Sequence, residues 1–335
     1  MFGDTLVDSS QTAATPDAAL YLHPQTLARL RSFELRAKHI VEGVQSGMHR
    51  SPYFGFSVEF AQHRPYAPGD DLRHLDWKVF GRTNKLHLKQ YEQETNLDVV
   101  VMVDASGSMN FGSLRFKEMS GAGVETSLDG RSNWTKFDHA TALAAAISYL
   151  AIKQGDRVGL TVYADEVHAI LRRSGAKAQW RLIIEALATQ PVKETTNLGR
   201  AVDQTLARVG ARGLFVIISD FFEDTENIRA ALARIRHKGS DAILMQVVDP
   251  LEASFDLRDT APFVGLEGEA RLRLDPRTIR KEYLAAFNRH SKELKRVARS
   301  LGFDEIRIST NDWLGPPLAA FLGRRNARLK RRKSS

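Results

Sequence analysis

Residues 97–109 read Leu97-Asp98-Val99-Val100-Val101-Met102-Val103-Asp104-Ala105-Ser106-Gly107-Ser108-Met109. They begin with a short apolar run rich in valine, the composition of a parallel strand covered on both faces. The run stops at a carboxylate, and two hydroxyls follow at alternate positions. Small Ala105 and Gly107 between them leave room for the backbone to wrap a common centre. Runs of the same kind recur at 214–218 and 242–248, and 305–309 is expected to add a last strand. Residues 157–163 and 166–171 are separated only by Ala164 and Asp165, which permits a hairpin but no crossover helix. One strand of this pair should therefore run antiparallel.

Helical spacing fills the intervals. Ala140, Leu143, Ile147 and Leu150 mark one helix, ended by Gly155; Leu198, Val202, Leu206 and Val209 mark another, ended by Gly210 and Gly213. Ile228, Leu232 and Ile235 mark a third before Gly239. Asp275 and Pro276 supply a cap and a first-turn proline for a helix running toward Leu301, and 312–323 is read as a last helix. Strands alternating with amphipathic helices imply an α/β fold, a doubly wound, mostly parallel sheet with helices on both faces. Upstream, Leu27, Leu30, Ala37, Val41 and Val44 recur at helical spacing, 54–60 and the Leu86/Leu88 alternation suit strands, and 65–71 reads as a turn. The expected organisation is a mobile arm at 1–22, a helix-plus-β region at 23–95, the α/β domain at 96–323 with a hairpin insertion at 254–274, and a basic tail at 324–335.

The chain has 335 residues, 43% apolar and 26% charged, which is ordinary for a globular protein with a sizeable core. It has no cysteine, which excludes a disulfide scaffold, a thiolate metal site and a cysteine nucleophile. No apolar run approaches the length of a bilayer crossing, and the first residues lack the basic start and apolar stretch of a signal peptide, so a cytoplasmic protein is expected. The net charge is +8, but Arg324, Arg325, Arg328, Lys330, Arg331, Arg332 and Lys333 supply seven positive charges, leaving +1 for the rest. The basicity belongs to one end, read as a solvated tail, with binding to a nucleic acid or anionic surface as the sharper alternative.

In an open α/β sheet, ligands bind beyond the carboxyl ends of the strands. Asp104, Ser106 and Ser108 lie at such an end. Thr196, or its neighbour Thr195, lies before the helix that starts near Leu198, and Asp220 follows the strand at 214–218. Carboxylate and hydroxyl oxygens of this kind suit a hard divalent cation, Mg²⁺ first, with Mn²⁺ or Ca²⁺ as alternates. The bland reading is that Asp104 and Asp220 cap turns, which three loops of one atom type weigh against. The ten histidines show no metal-ligand spacing.

Asp104-x-Ser106-x-Ser108, then Thr196, then Asp220 resemble, in chain order, the metal-ion-dependent adhesion site of von Willebrand factor A-like domains. The upstream segment Arg64-Pro65-Tyr66-Ala67-Pro68-Gly69-Asp70-Asp71-Leu72-Arg73, with Asp76-Trp77-Lys78 and Arg82-Thr83, resembles the signature of the domain-of-unknown-function 58 family. The resemblance implies a von Willebrand A-like fold and metal ligation by Asp104, Ser106, Ser108, Thr196 and Asp220, with an acidic partner residue completing the coordination. It also implies a non-enzymatic interaction protein, an adaptor or co-chaperone for a MoxR-type AAA+ ATPase acting on a client protein complex. Residues 110–135 form a longer connection than that family carries. The competing enzyme reading is a Mg²⁺-dependent phosphohydrolase of the haloacid-dehalogenase type. That chemistry needs a second acid two residues after Asp104, where this chain has Ser106.

Overall fold

The computed structural model describes residues 63–65, 77–89, 97–120, 126, 132–188, 194–210, 212–257, 261–263, 265–266, 272–312 and 314–333. The expected arm at 1–22, the helix through Leu27 to Val44, the strand at 54–60 and nearly all of the 65–71 turn lie outside them.

Six strands form the main sheet: β1 (Asp98–Asp104), β2 (Arg157–Tyr163), β3 (Val167–Ser174), β4 (Leu214–Ser219), β5 (Asp241–Val248) and β6 (Asp304–Ser309). Their order is β6-β5-β4-β1-β2-β3, parallel throughout except for β3, which pairs antiparallel with β2. This is the expected doubly wound, mostly parallel sheet, and the short gap at Ala164 and Asp165 forces its one antiparallel strand. The longer helices among the described residues are α1 (Lys136–Lys153), α2 (Lys177–Leu187), α3 (Leu198–Val209), α4 (Thr225–His237), α5 (Pro276–Ser300) and α6 (Gly315–Lys333).

Alternation along the strands builds two cores. Val99, Val101 and Val103 face one side with Leu160, Val216 and Met245, against Leu143 and Ile147 of α1, Ile183 of α2 and Leu318 and Phe321 of α6. Val100 and Met102 face the other with Phe215, Ile217 and Leu244, against Val202 of α3, Leu232 of α4 and Leu294 of α5. Each such side chain contributes roughly 1.5–3 kcal/mol when fully buried. Helix α2 has no counterpart in the sequence reading, although Trp180, Ile183, Ile184 and Leu187 recur at helical spacing and are buried.

Among the described residues, three antiparallel pairs lie outside the main sheet. His63–Pro65 pairs with His87–Lys89, on either side of the helix Trp77–Thr83, in the region expected to mix helix and strand. Ala261–Phe263 pairs with Leu272–Leu274 inside the expected hairpin insertion. Leu114–Arg115 pairs with Asn133–Trp134 and draws together the ends of the long connection that follows the Asp104 loop.

The first arginines of the expected basic tail are anchored rather than solvated. Helix α6 runs to Lys333, where the sequence reading ended a helix at 323. Arg324 pairs with Asp241 at 2.8 Å, and Arg325 forks onto Asp156, donating from Nη2 at 2.9 Å and also from Nε. These acids lie at the amino-end rim of the sheet, so the arginines fasten α6 there. Asp156 is fully buried and also accepts from the Leu97 amide at 3.0 Å. Arg325→Ala is expected to cost about 3 kcal/mol, because it strands a buried carboxylate. That corresponds to a fall of roughly 10 °C in melting temperature. An unchanged thermal melt would show the arginine to be a solvated tail residue after all.

Candidate functional site

The strand order reverses between β1 and β4, the place where an open α/β sheet binds ligands beyond its strand ends. Asp104 ends β1 and Asp220 follows β4. Backbone bonds stitch the surrounding loops together. The Ala105 amide donates to the Tyr163 carbonyl at 2.6 Å, Gly107 to Glu194 at 3.0 Å, and Asn197 to Ala164 at 3.0 Å. The Asn197 side chain caps α3 by accepting from the Arg200 amide, and Glu223 accepts from the Leu198 amide at 3.1 Å. Thr196 is thereby delivered to Asp104 by the start of α3.

Asp104 is the hub. Its carboxylate is fully buried; Oδ1 accepts from the Ser106 amide at 2.9 Å, and Oδ2 accepts from Thr196 Oγ1 at 3.1 Å and Ser219 Oγ at 2.6 Å. Ser106 Oγ and Ser108 Oγ lie 3.1 Å apart. Thr195 is exposed and Thr196 half-buried, so of the two threonines it is Thr196 that meets Asp104.

Asp220, also fully buried, is held differently. Its Oδ1 accepts from the Phe222 amide at 3.2 Å, and its Oδ2 accepts from Lys136 Nζ at 2.7 Å. Lys136 is the first residue of α1, fixed by a capping box in which Thr135 and Asp138 satisfy each other's amides. Its ammonium donates equally to Glu252 Oε1 at 2.7 Å and lies 4.7 Å from the centroid of the Phe222 ring. Between Asp220 and Phe222 the chain passes through Phe221 at a φ of 58°, a left-handed conformation unfavourable for a bulky residue. Phe221 is held there by its amide donating to Ser219 Oγ at 2.8 Å and by a hydrogen bond of 2.7 Å between its carbonyl and His290 Nε2.

Burial, reinforced by the Asp220 charge, pushes the Asp104 carboxyl up to about 7. Burial also opposes the Lys136 ammonium, but Asp220 and Glu252 outweigh it and hold the lysine pKa above its ordinary value, so Lys136 is charged. Among the described residues no cationic side chain pairs with Asp104, and no three acids, histidines or cysteines cluster as a ligand cage. The donor set is two carboxylates supplemented by hydroxyls. A wholly buried carboxylate that meets only neutral donors is one that a hard cation would relieve, and on that ground the residues fit a divalent ion.

Ser219, Lys136 and Glu252 escaped the sequence reading. Ser219 directly precedes Asp220 at the strand end, which was a readable signal. Lys136 carried one too, because a cation at a helix amino terminus opposes the helix dipole and calls for an acidic partner. Glu252 reaches the site through its own capping box with Asp249.

A family model described as "Protein of unknown function DUF58" matches residues 62–293. Uncharacterised proteins of Mycobacterium bovis and Mycobacterium tuberculosis are each 28% identical over 315 residues, covering 91% of this chain and 92% of their own. Among solved structures, the conserved hypothetical protein BatB from Bacteroides thetaiotaomicron is similar at 15% identity and a TM-score of 0.43, over 68% of this chain and 98% of that one. The SpRpn10 VWA domain is similar at 14% identity and a TM-score of 0.39, over 67% and 94%. No helix among the described residues is long and apolar enough to cross a membrane.

Proposed function

This chain belongs to the DUF58 family, and we propose that it is a non-enzymatic, metal-dependent protein-interaction module, an adaptor or co-chaperone for a MoxR-type AAA+ ATPase that acts on another protein complex. The observation that carries this reading is the convergence of the Ser106 amide and the Thr196 and Ser219 hydroxyls, from three segments of the chain, on buried Asp104 at the switch point of the sheet. Asp104, Ser106, Ser108, Thr196 and Asp220 would hold Mg²⁺, with Mn²⁺ or Ca²⁺ as alternates. A bound ion of this class supplies Lewis-acid affinity for a carboxylate offered by a partner. The protein's own part is positional. Asp104 organises the hydroxyls, the Gly107 and Asn197 amides lock the loops, and Phe221 aims Asp220.

Ser106 supports the non-enzymatic reading, since a serine hydroxyl at that position is no general acid at neutral pH. The test is calorimetry of the purified chain with a MoxR-type ATPase from the same organism, in Mg²⁺ and in chelator. Binding should be at least ten-fold tighter in Mg²⁺, weaker in Thr196→Ala and nearly abolished in Asp104→Ala. By linkage the ATPase must tighten metal binding by the same factor. Equal affinity with and without the metal would contradict the reading.

A further inference from the structure

We infer that Lys136 is the resident cation of this site, neutralising Asp220 and thereby opposing a divalent ion that would use the same carboxylate. The inference rests on the metal-dependent reading above and deepens it by naming the residue that sets metal affinity.

A lysine at the first position of a helix sits at the positive end of the dipole, so α1 gives no reason for it. Nor does packing, because a fully buried ammonium is costly unless paired. Here it is paired on two sides, 2.7 Å from Asp220 and 2.7 Å from Glu252, with the Phe222 ring on a third at 4.7 Å. Both ends of the arrangement are braced. The Thr135–Asp138 capping box fixes the start of α1, and the Asp249 amide donates to Glu252 Oε2 at 3.1 Å, leaving Oε1 for the lysine. The ammonium is therefore a built and oriented part of the site.

Of the two carboxylates in the ligand set, Asp220 already has a counterion, while Asp104 has only hydroxyl and amide donors. An entering divalent ion would meet one uncompensated carboxylate, neutral oxygens and a fixed positive charge one hydrogen bond from the other carboxylate. Repulsion between like charges is strong in a buried, poorly screened site. Lys136 thus weakens metal binding by the chain alone and leaves a bound ion short of negative charge. An anionic group on a partner would supply it.

The experiment is a calorimetric titration of MnCl₂ and of MgCl₂ into the full chain, its Lys136→Met and Glu252→Gln variants, and the double variant Lys136→Met/Asp104→Asn. Lys136→Met should bind at least ten-fold more tightly than the wild type, and the gain should vanish in the double variant. Glu252→Gln keeps the ammonium, gives it to Asp220 alone and should bind several-fold more weakly. If circular dichroism shows Lys136→Met to be unfolded, Glu252→Gln decides. Measurable binding that is equal or weaker in Lys136→Met, or unchanged in Glu252→Gln, overturns the inference and leaves the metal reading standing. Binding seen only in Lys136→Met supports the inference and removes the metal from the native protein's action. Binding in none of the proteins overturns both.

Discussion

In metal-free buffer, Asp104→Asn is expected to melt higher than the wild type at pH 8 and to lose more than half of that advantage by pH 5. An acid whose folded pKa is raised from 3.8 to about 7 binds more protons in the folded state than in the unfolded state between those values. Stability therefore falls as pH climbs through that window, and the full penalty is present above pH 7. The cause is desolvation of a wholly buried carboxylate, with the Asp220 charge adding to it. Asparagine keeps the shape and an acceptor oxygen for Thr196 and Ser219 but carries no charge. Three pKa units correspond to at most about 4 kcal/mol, so a rise of several degrees should be visible. Taking the difference between the two proteins cancels the contribution of His139. Burial pushes its ring down to about 4, with the Asp312 charge opposing, so its share of stability is lost in both proteins as pH falls from 6.5 toward 4. Melts in chelator at pH 5, 6, 7 and 8 make the comparison. A variant that melts at or below the wild type at pH 8 would show that the ionised Asp104 is already satisfied by its neighbours.

Asp249→Ala should be among the most damaging single changes outside the two cores. Asp249 is fully buried at the end of β5 and accepts from the Ser113 amide at 2.9 Å, Ser113 Oγ at 2.6 Å, the Leu251 amide at 2.8 Å and Thr310 Oγ1 at 3.3 Å. It ties the loop after Ser108 to the ends of β5 and β6. Removing it leaves the buried Thr310 hydroxyl without its acceptor, at about 1–3 kcal/mol, and deletes three bonds from the exposed Ser113 and the half-buried Leu251, each worth about 1 kcal/mol. We expect a total loss of roughly 4 kcal/mol and a melting temperature lower by about 10 °C. Urea unfolding at fixed pH measures it, and a loss below about 1 kcal/mol would mean that the loop holds without this carboxylate.

The parts of the structure governed by local pattern were legible. Valine-rich runs located the parallel strands, the Ala164–Asp165 gap located the hairpin, and Asp104, Thr196 and Asp220 were readable as residues of strand-end loops, of which Thr196 meets Asp104. What was not legible depends on residues distant in sequence. Lys136 reaches Asp220 and Glu252 across 84 and 116 positions, and no local rule pairs them. The C-terminal arginines read as a tail because their acids, Asp156 and Asp241, lie far upstream on the rim of the sheet. Helix α2 is a different case: its apolar spacing is present in the sequence, but it spans only eleven residues between stronger signals.

The central claim is that Asp104 organises a site for a hard divalent cation. Its most direct test is titration of MgCl₂ into the purified chain beside Asp104→Asn, followed by calorimetry. The account predicts weak, saturable, one-to-one binding in the wild type and none in Asp104→Asn, with both proteins folded by circular dichroism. Identical titrations of the two, whether both bind or neither does, would contradict it.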